Sequence, residues 1–164
     1  SILFTTTKTK ERETLFKWVC PIFENTILLH ALKSRKITIH SISELKKFKI
    51  GTYIKDVGED ILVKKAGLQL DDLDRSPKQF LGLKKLFTGR NDLFVGSQIT
   101  VDKICEMTAY KKEDLEPVFV LSRDVMCFAF HKETPDFIIQ KFQKAFNELK
   151  SEGKLDELFL KYNP

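Results

Sequence analysis

The sequence predicts an α/β fold built on a mostly parallel sheet. Three observations carry that prediction. Strand-sized apolar runs alternate with helically spaced ones across the middle hundred residues, which implies crossover units. Helix start and stop residues punctuate the chain at the matching places. The 164 residues are 42% hydrophobic and 31% charged, which supports an ordinary buried core and excludes a disordered or collagen-like chain. No apolar run approaches the roughly 18 residues that would span a bilayer.

The elements follow in order. Thr26 to Leu32 is an apolar run of strand length between Asn25 and Lys33. Ser41-Ile42-Ser43-Glu44 matches a capping box, a hydroxyl at the helix start with a glutamate three residues on, and opens a one-turn helix through Lys47. Phe48 to Ile54 is the next strand. Asp56-Val57-Gly58-Glu59 matches a second capping box, and Ile61, Leu62, Val63 and Ala66 lead to the stop at Gly67. Ser76-Pro77 opens a helix with Phe80, Leu83, Leu86 and Phe87 at helical spacing and Gly89 as its stop. Leu93-Phe94-Val95 is a short strand, Thr100 to Thr108 is helical, and Pro117 to Leu121 is extended. Val125 to Phe130 is another strand. Thr134-Pro135-Asp136 sets a cap, a first-turn proline and an acid in the preferred order for a helix start. Ile138, Phe142, Ala145, Phe146 and Leu149 form one apolar stripe, Gly153 stops it, and Leu155 to Tyr162 is a final short helix.

The chemistry inventory is thin on catalysis. The sequence has no nucleophile elbow, phosphate loop, zinc-protease motif or dinucleotide fingerprint. His30, His40 and His131 are far apart, and a lone histidine at a strand end reads as a surface or edge residue. Cys20, Cys105 and Cys127 have neither metal-ligand spacing nor the number for a disulfide framework, and their apolar flanks mark them as small buried hydrophobes. No metal and no cofactor is expected. The 28 Lys+Arg against 23 Asp+Glu give a net charge of +5, and the lysines are spread along the chain in pairs such as Lys46–Lys47, Lys64–Lys65, Lys84–Lys85 and Lys111–Lys112 on predicted helices. They read as solvated faces, not as a nucleic-acid footprint, which needs a clustered stripe.

Two segments look like binding. In Thr5-Thr6-Thr7-Lys8-Thr9-Lys10-Glu11-Arg12, hydroxyls and a guanidinium within two helical turns can grip a carboxylate; the alternative is a helix start rich in cap-formers. In Tyr53-Ile54-Lys55-Asp56-Val57-Gly58 a strand gives way to a helix whose free N–H groups favour anions, with Asp56 either a plain cap or a ligand contact.

Thr7-Lys8-Thr9-Lys10-Glu11-Arg12, followed by Phe16-Lys17-Trp18-Val19-Cys20-Pro21-Ile22, resembles the "T-x-T-x-E-R … F-S-x-P-Y" segment of bacterial extracellular solute-binding proteins of family 3, the polar-amino-acid type that serves ABC transporters. Ser43-Glu44-Leu45-Lys46 resembles the family's "s-l-x-D-L-k-G" helix, Lys49-Ile50-Gly51-Thr52-Tyr53 its "k-v-g-v" strand, and Leu86-Phe87-Thr88-Gly89-Arg90-Asn91-Asp92 its "L-x-x-G-r-x-D". Phe128-Ala129-Phe130-His131-Lys132 is similar to the strand returning to the first lobe, and Phe142 to Tyr162 to the closing helices. The motifs keep the family's order over nearly the whole chain.

The resemblance implies a type II periplasmic-binding-protein-like fold of two α/β lobes with a two-strand hinge. Residues 1–25 would be the remaining part of lobe one with the first hinge strand, 26–125 a complete lobe two, and 126–164 the second hinge strand with the C-terminal helices of lobe one. The family's T-x-T-x-E-R segment lies after most of lobe one. Here it starts at residue 5, so the chain is expected to lack the first part of that lobe. Its opening, Ser1-Ile2-Leu3-Phe4, does not read as a signal peptide and looks like the middle of a longer protein. The stripe on the long C-terminal helix and the strand at Ile2-Leu3-Phe4 would then lose partners, with self-association as one way to cover them.

The implied function is capture of a small carboxylate-bearing solute, an amino acid or organic acid, in the periplasm for an ABC-transporter permease. Thr7 and Arg12 match the residues that hold the α-carboxylate, and Tyr53, Lys55, Asp56 and Val57 fall in the second-lobe binding loop. Ser97 stands where amino-acid binders carry an aspartate for the ammonium; Asp56 would compensate, or the solute lacks the amine. The alternatives are a cyclohexadienyl or arogenate dehydratase-like enzyme, for which Asp56, Glu59 and the histidines are on offer, and a ligand-blind sensor or interaction lobe. Placed on the two hinge strands, Cys20 and Cys127 are expected near opposite ends, beyond the ~7 Å Cα limit for a disulfide, leaving three free thiols.

Overall fold

A computed structural model describes residues 2–8 and 12–162. The motif residues Thr9, Lys10 and Glu11 lie outside the described residues. The chain divides into two compact units, Ser1–Asn25 with Asp124–Pro164 and, between them in sequence, Thr26–Arg123. Two 17-residue strands, β2 (Phe16–Leu32) and β6 (Leu115–His131), belong to both. Thr26–Leu32 and Val125–Phe130 are therefore halves of longer strands, and Pro117–Leu121 is continuous with the latter. Asn25 and the Ser122-Arg123-Asp124 stretch look like strand ends only because polar residues punctuate the apolar pattern.

In the unit Thr26–Arg123 the strand order is β2-β5-β3-β4, with β3 at Ile50–Tyr53, β4 at Leu73–Ser76 and β5 at Leu93–Ser97. β3 runs parallel to both β4 and β5, and β2 closes the other side of β5 antiparallel. Helices α1 (Val57–Ala66), α2 (Gln79–Phe87) and α3 (Gln98–Glu106) follow β3, β4 and β5 in turn, the crossover pattern expected. One core gathers Leu29, Leu45, Ile50, Leu62, Leu93 and Val95, and a second gathers Leu83, Leu86, Phe94 and Val101. Two glycines set the helix spacing: a Cβ on Gly58 would stand 2.6 Å from Val95 Cγ2, and one on Gly82 2.6 Å from Phe94 Cε2. α1 and α2 sit closer to β5 than any side chain permits.

The structure departs from several local expectations. Ser76 ends β4 instead of opening α2, which begins at Gln79 with Lys78 as its N-cap. The segment 42–47 is a 3-10 turn, and Ser41 does not cap it; its hydroxyl bonds Ser43 Oγ at 2.9 Å while Glu44 accepts the His40 N–H at 3.1 Å. The second capping box also fails, because Asp56 makes no side-chain cap bond and Glu59 turns elsewhere. His30 is no edge residue: it lies on β2, 1% exposed.

In the other unit β6 lies between β1 (Ile2–Thr7) and β2. Thr5–Thr7 is thus strand, not the first turn of a helix. Helices α4 (Asp136–Ser151) and α5 (Lys154–Tyr162) complete the unit. Val19, Ile22, Phe130 and Phe146 form its core, joined by Phe128 and Phe142 with ring centroids 5.1 Å apart. The expected bare stripe is thus divided: Phe142 and Phe146 pack, while Ile138, Ala145 and Leu149 are exposed. On β1, Ile2 and Leu3 are half exposed and Phe4 is 70% exposed.

The expectation of three free thiols is overturned. Cys20 and Cys127 form a disulfide with their Cα atoms 4.8 Å apart, and Cys105 is the free cysteine. The two residues lie on the neighbouring strands β2 and β6. The expectation of opposite strand ends fails because β2 and β6 each run on past the points where the composition changes. Gln143 of α4 pairs with the same spot, its Nε2 donating to Cys20 O at 2.9 Å and its Oε1 accepting the Cys20 N–H at 3.0 Å.

Candidate functional site

In the unit Thr26–Arg123 the carboxyl ends of three parallel strands meet the amino ends of the helices that follow them. Ligands of open α/β sheets sit at that edge. Tyr53 closes β3, Ile54 and Lys55 turn, and Asp56 and Val57 begin α1. β5 ends at Ser97; carried forward from Ile50↔Leu93 and Gly51↔Phe94, the register sets Ser97 level with Ile54. Five of the seven sequence-derived site residues therefore share one edge of one unit. Ser97 is the N-cap of α3: its Oγ accepts the Thr100 N–H at 3.2 Å and lies 3.0 Å from Thr100 Oγ1. The hydroxyl explains the residue without a ligand, and it carries no charge for an ammonium.

The turn is held by a carboxylate that the sequence reading assigned to a helix cap. Glu59 is 3% exposed. Its Oε1 accepts the Lys55 N–H at 3.0 Å and Arg75 Nη2–H at 2.9 Å, and its Oε2 accepts Thr52 Oγ1–H and Arg75 Nε–H, each at 2.9 Å. The bidentate guanidinium holds the Glu59 carboxyl below its ordinary range; burial opposes this, and the Lys55 and Thr52 donors add to it. Lys55 itself has φ 63°, the left-handed region that glycine adopts freely and lysine does not. Lys55 is exposed and Asp56 half-buried. Sixteen residues separate Glu59 from Arg75, so no local pattern announces the pair. The available signal was a glutamate on the face of α1 that also buries Gly58, Ile61 and Leu62.

His30, beneath this edge, bonds Gly96 O through Nε2 at 3.2 Å. Burial pushes its pKa below 6.5, against the opposing pull of the Gly96 carbonyl and Asp102. Both shifts destabilise the unit in acid. The unfolded chain protonates His30 at 6.5 while the native site resists, so stability falls as pH drops through that value. The Glu59 contribution is full above its unfolded pKa of 4.5 and is lost as pH falls through its lower native value. Urea unfolding followed by circular dichroism should therefore show a midpoint that declines from about pH 7 to about pH 5, and a His30→Gln variant should lose that first decline.

In the other unit Thr7 ends β1, and its Oγ1 donates to Met126 Sδ at 3.2 Å. Arg12 lies exposed in the turn before β2, where its carbonyl accepts the Leu15 N–H at 3.0 Å. Thr7 and Arg12 are thus at one strand end and the turn beyond it, the guanidinium free to reach solvent. A shallow cavity of about 700 Å³ elsewhere on this unit is lined by Trp18, Gln143, Lys144 and Asn147 and contains none of the predicted residues. Among the described residues no cluster of His, Cys, Asp and Glu is placed to hold a metal ion.

No protein-family model and no curated protein matches the sequence. Solved structures do match in fold. A mutant of ArgBP from T. maritima is 23% identical with a TM-score of 0.71, over 96% of this chain and 66% of that one. The amino acid ABC transporter substrate-binding protein AbpA from Streptococcus pneumoniae, bound to L-arginine, is 24% identical with a TM-score of 0.69, over 96% and 65%. The ancestral amino-acid-binding protein AncCDT-1, a precursor of cyclohexadienyl dehydratase, is 17% identical with a TM-score of 0.67, over 98% and 66%. The fold is periplasmic-binding-protein-like, as the sequence motifs implied. The chain spans about two thirds of the length of these structures, 65% to 66%.

Proposed function

We propose that the chain belongs to an extracytoplasmic solute-binding protein that captures a small carboxylate-bearing, amino-acid-like solute and delivers it to an ABC-transporter permease. The observation that carries this reading is the match of nearly the whole chain to the fold of amino-acid-binding proteins, at 96% coverage for AbpA. In this reading Thr7 and Arg12 are the candidate carboxylate holders, and Tyr53, Lys55, Asp56, Val57 and Ser97 are candidate solute contacts at the carboxyl edge of the unit Thr26–Arg123. The disulfide supports an oxidising compartment, where such bonds persist. Asp56, whose side chain does not cap α1, is the acid available at that edge for an ammonium group.

A dehydratase needs a positioned acid or base. Glu59 is poorly suited, since four hydrogen bonds hold its carboxylate ionised. His30 is buried and bonded to a carbonyl. A binding role without catalysis is the better reading.

Titration calorimetry with L-arginine, L-glutamate and succinate tests it. Binding of one of the amino acids is expected, and Arg12→Ala should abolish it, since a desolvated carboxylate pair is worth roughly 2–5 kcal/mol. Unchanged affinity in Arg12→Ala would remove Arg12 from the site. No heat with any amino or organic acid favours a ligand-blind lobe, and an aromatic product from prephenate would establish the enzyme.

A further inference from the structure

The turn Tyr53–Val57 breaks three rules of local stability at once. Lys55 takes a left-handed conformation, φ 63°, where glycine would be unstrained. Asp56 stands at the N-cap of α1 without capping it. Glu59, which in a capping box would reach back to the N-cap N–H, reaches past it to the Lys55 N–H. Such departures concentrate where a loop must be held in one shape for a ligand, and this one lies at the carboxyl edge of a parallel sheet.

We propose that Glu59 is the positioning residue of this binding loop. Its two oxygens receive four donors: Thr52 Oγ1 from β3, the Lys55 N–H from the turn, and both arms of Arg75 from β4. The carboxylate thereby ties the turn to two strands that are themselves paired, Thr52 opposite Arg75. Glu59 touches no solute. It fixes the backbone of Lys55, and through it the direction in which the Lys55 side chain and the start of α1 face the edge. The Arg75 fork keeps the carboxylate ionised, so that the charge-assisted bond to the Lys55 N–H persists. The proposal rests on the reading of this edge as the solute site, and its first test does not need a solute.

Amide hydrogen exchange by nuclear magnetic resonance, on the whole chain, reads the turn directly. In Glu59→Gln the amide group of the new side chain meets donors where the carboxylate met them. Exchange at Lys55, Asp56 and Val57 should accelerate by about tenfold or more, with Leu93, Phe94 and Val95 unchanged. Arg75→Lys, which keeps the charge but loses the fork on a partly exposed side chain, should give a smaller acceleration at the same amides and serves if Glu59→Gln does not fold. Unchanged exchange at Lys55, or a uniform acceleration through β5, would overturn the proposal. A second arm uses L-arginine, L-glutamate and succinate: whichever binds the wild type should bind Glu59→Gln about tenfold more weakly with solute contacts intact. Equal affinity would overturn the positioning role. If none of the three binds the wild type, the solute-site reading fails while the exchange result still decides what Glu59 does.

Discussion

Titrating the thiols of the denatured, unreduced protein is expected to find one, that of Cys105, and reduction is expected to unfold the chain at markedly lower denaturant. The Cys20–Cys127 disulfide closes a loop of sequence separation 107. In the chain-entropy account a loop of that length removes roughly 4–5 kcal/mol of freedom from the unfolded state. The effect should be largest where the whole chain unfolds. While the unit Thr26–Arg123 stays folded it already gathers the two ends of its own segment, and the disulfide then constrains only the short strand lengths beyond them. Cys20→Ser paired with Cys127→Ser should therefore lower the global transition more than any early loosening. Trp18, the single tryptophan, lies in the disulfide-bearing unit and reports its unfolding by fluorescence. Three thiols in the unreduced protein, or a transition indifferent to reductant, would refute the bond.

That bond also marks the boundary of what the sequence made legible. Chemistry written within a few residues was readable. Gly67, Gly89 and Gly153 read as helix stops from the sequence, and each has a φ between 65° and 73°, where only glycine is at ease. The strand-to-helix junction at Tyr53–Val57 was readable for the same reason, and it supplied the candidate binding loop. β4 was not readable, because Leu73-Asp74-Arg75-Ser76 has no β-branched or aromatic residue and becomes a strand through its parallel pairing with β3. The long strands were cut short because polar residues interrupt them where neighbouring strands, not local propensity, keep the backbone extended.

The candidate site divides along the same line. The candidate loop Tyr53–Val57 follows from one strand end and one helix start, whereas Ser97 rests on the family resemblance and joins that edge only through the register of β5 with β3. Glu59 carries a misleading local signal, since a glutamate three residues after an aspartate fits a capping box by spacing alone. What redirected it is Arg75, which reaches the same point in space only after α1, Gly67 and the return through β4. His30 departs from its local pattern for a related reason: a histidine near the end of an apolar run is at an edge only if the strand has no neighbour, and β5 lies against it, His30 opposite Phe94.

Phe94→Ala should be the most damaging single change in the unit Thr26–Arg123, costing about 3–5 kcal/mol. Phe94 is among the largest fully buried side chains, on the strand that pairs with both β2 and β3. Its ring occupies the space that Gly82 of α2 leaves open, with Cε2 at 2.6 Å from where a Cβ would stand, and it borders Gly96 as well. Truncation leaves a cavity that α2 cannot close without moving Leu83 and Leu86, both buried in the same cluster. The converse change, Gly82→Ala, pushes a methyl into the ring and should also destabilise, by about 1–3 kcal/mol. The two errors offset each other in shape. Gly82→Ala combined with Phe94→Leu should therefore lose less than the sum of Gly82→Ala alone and Phe94→Leu alone, a coupling that contacting residues show and distant ones do not. Circular dichroism should carry the loss while Trp18 fluorescence, read from the other unit, moves less. Strict additivity of the pair would mean that α2 is not seated on β5 by this contact, and that the carboxyl edge bearing Ser97 is held in place some other way.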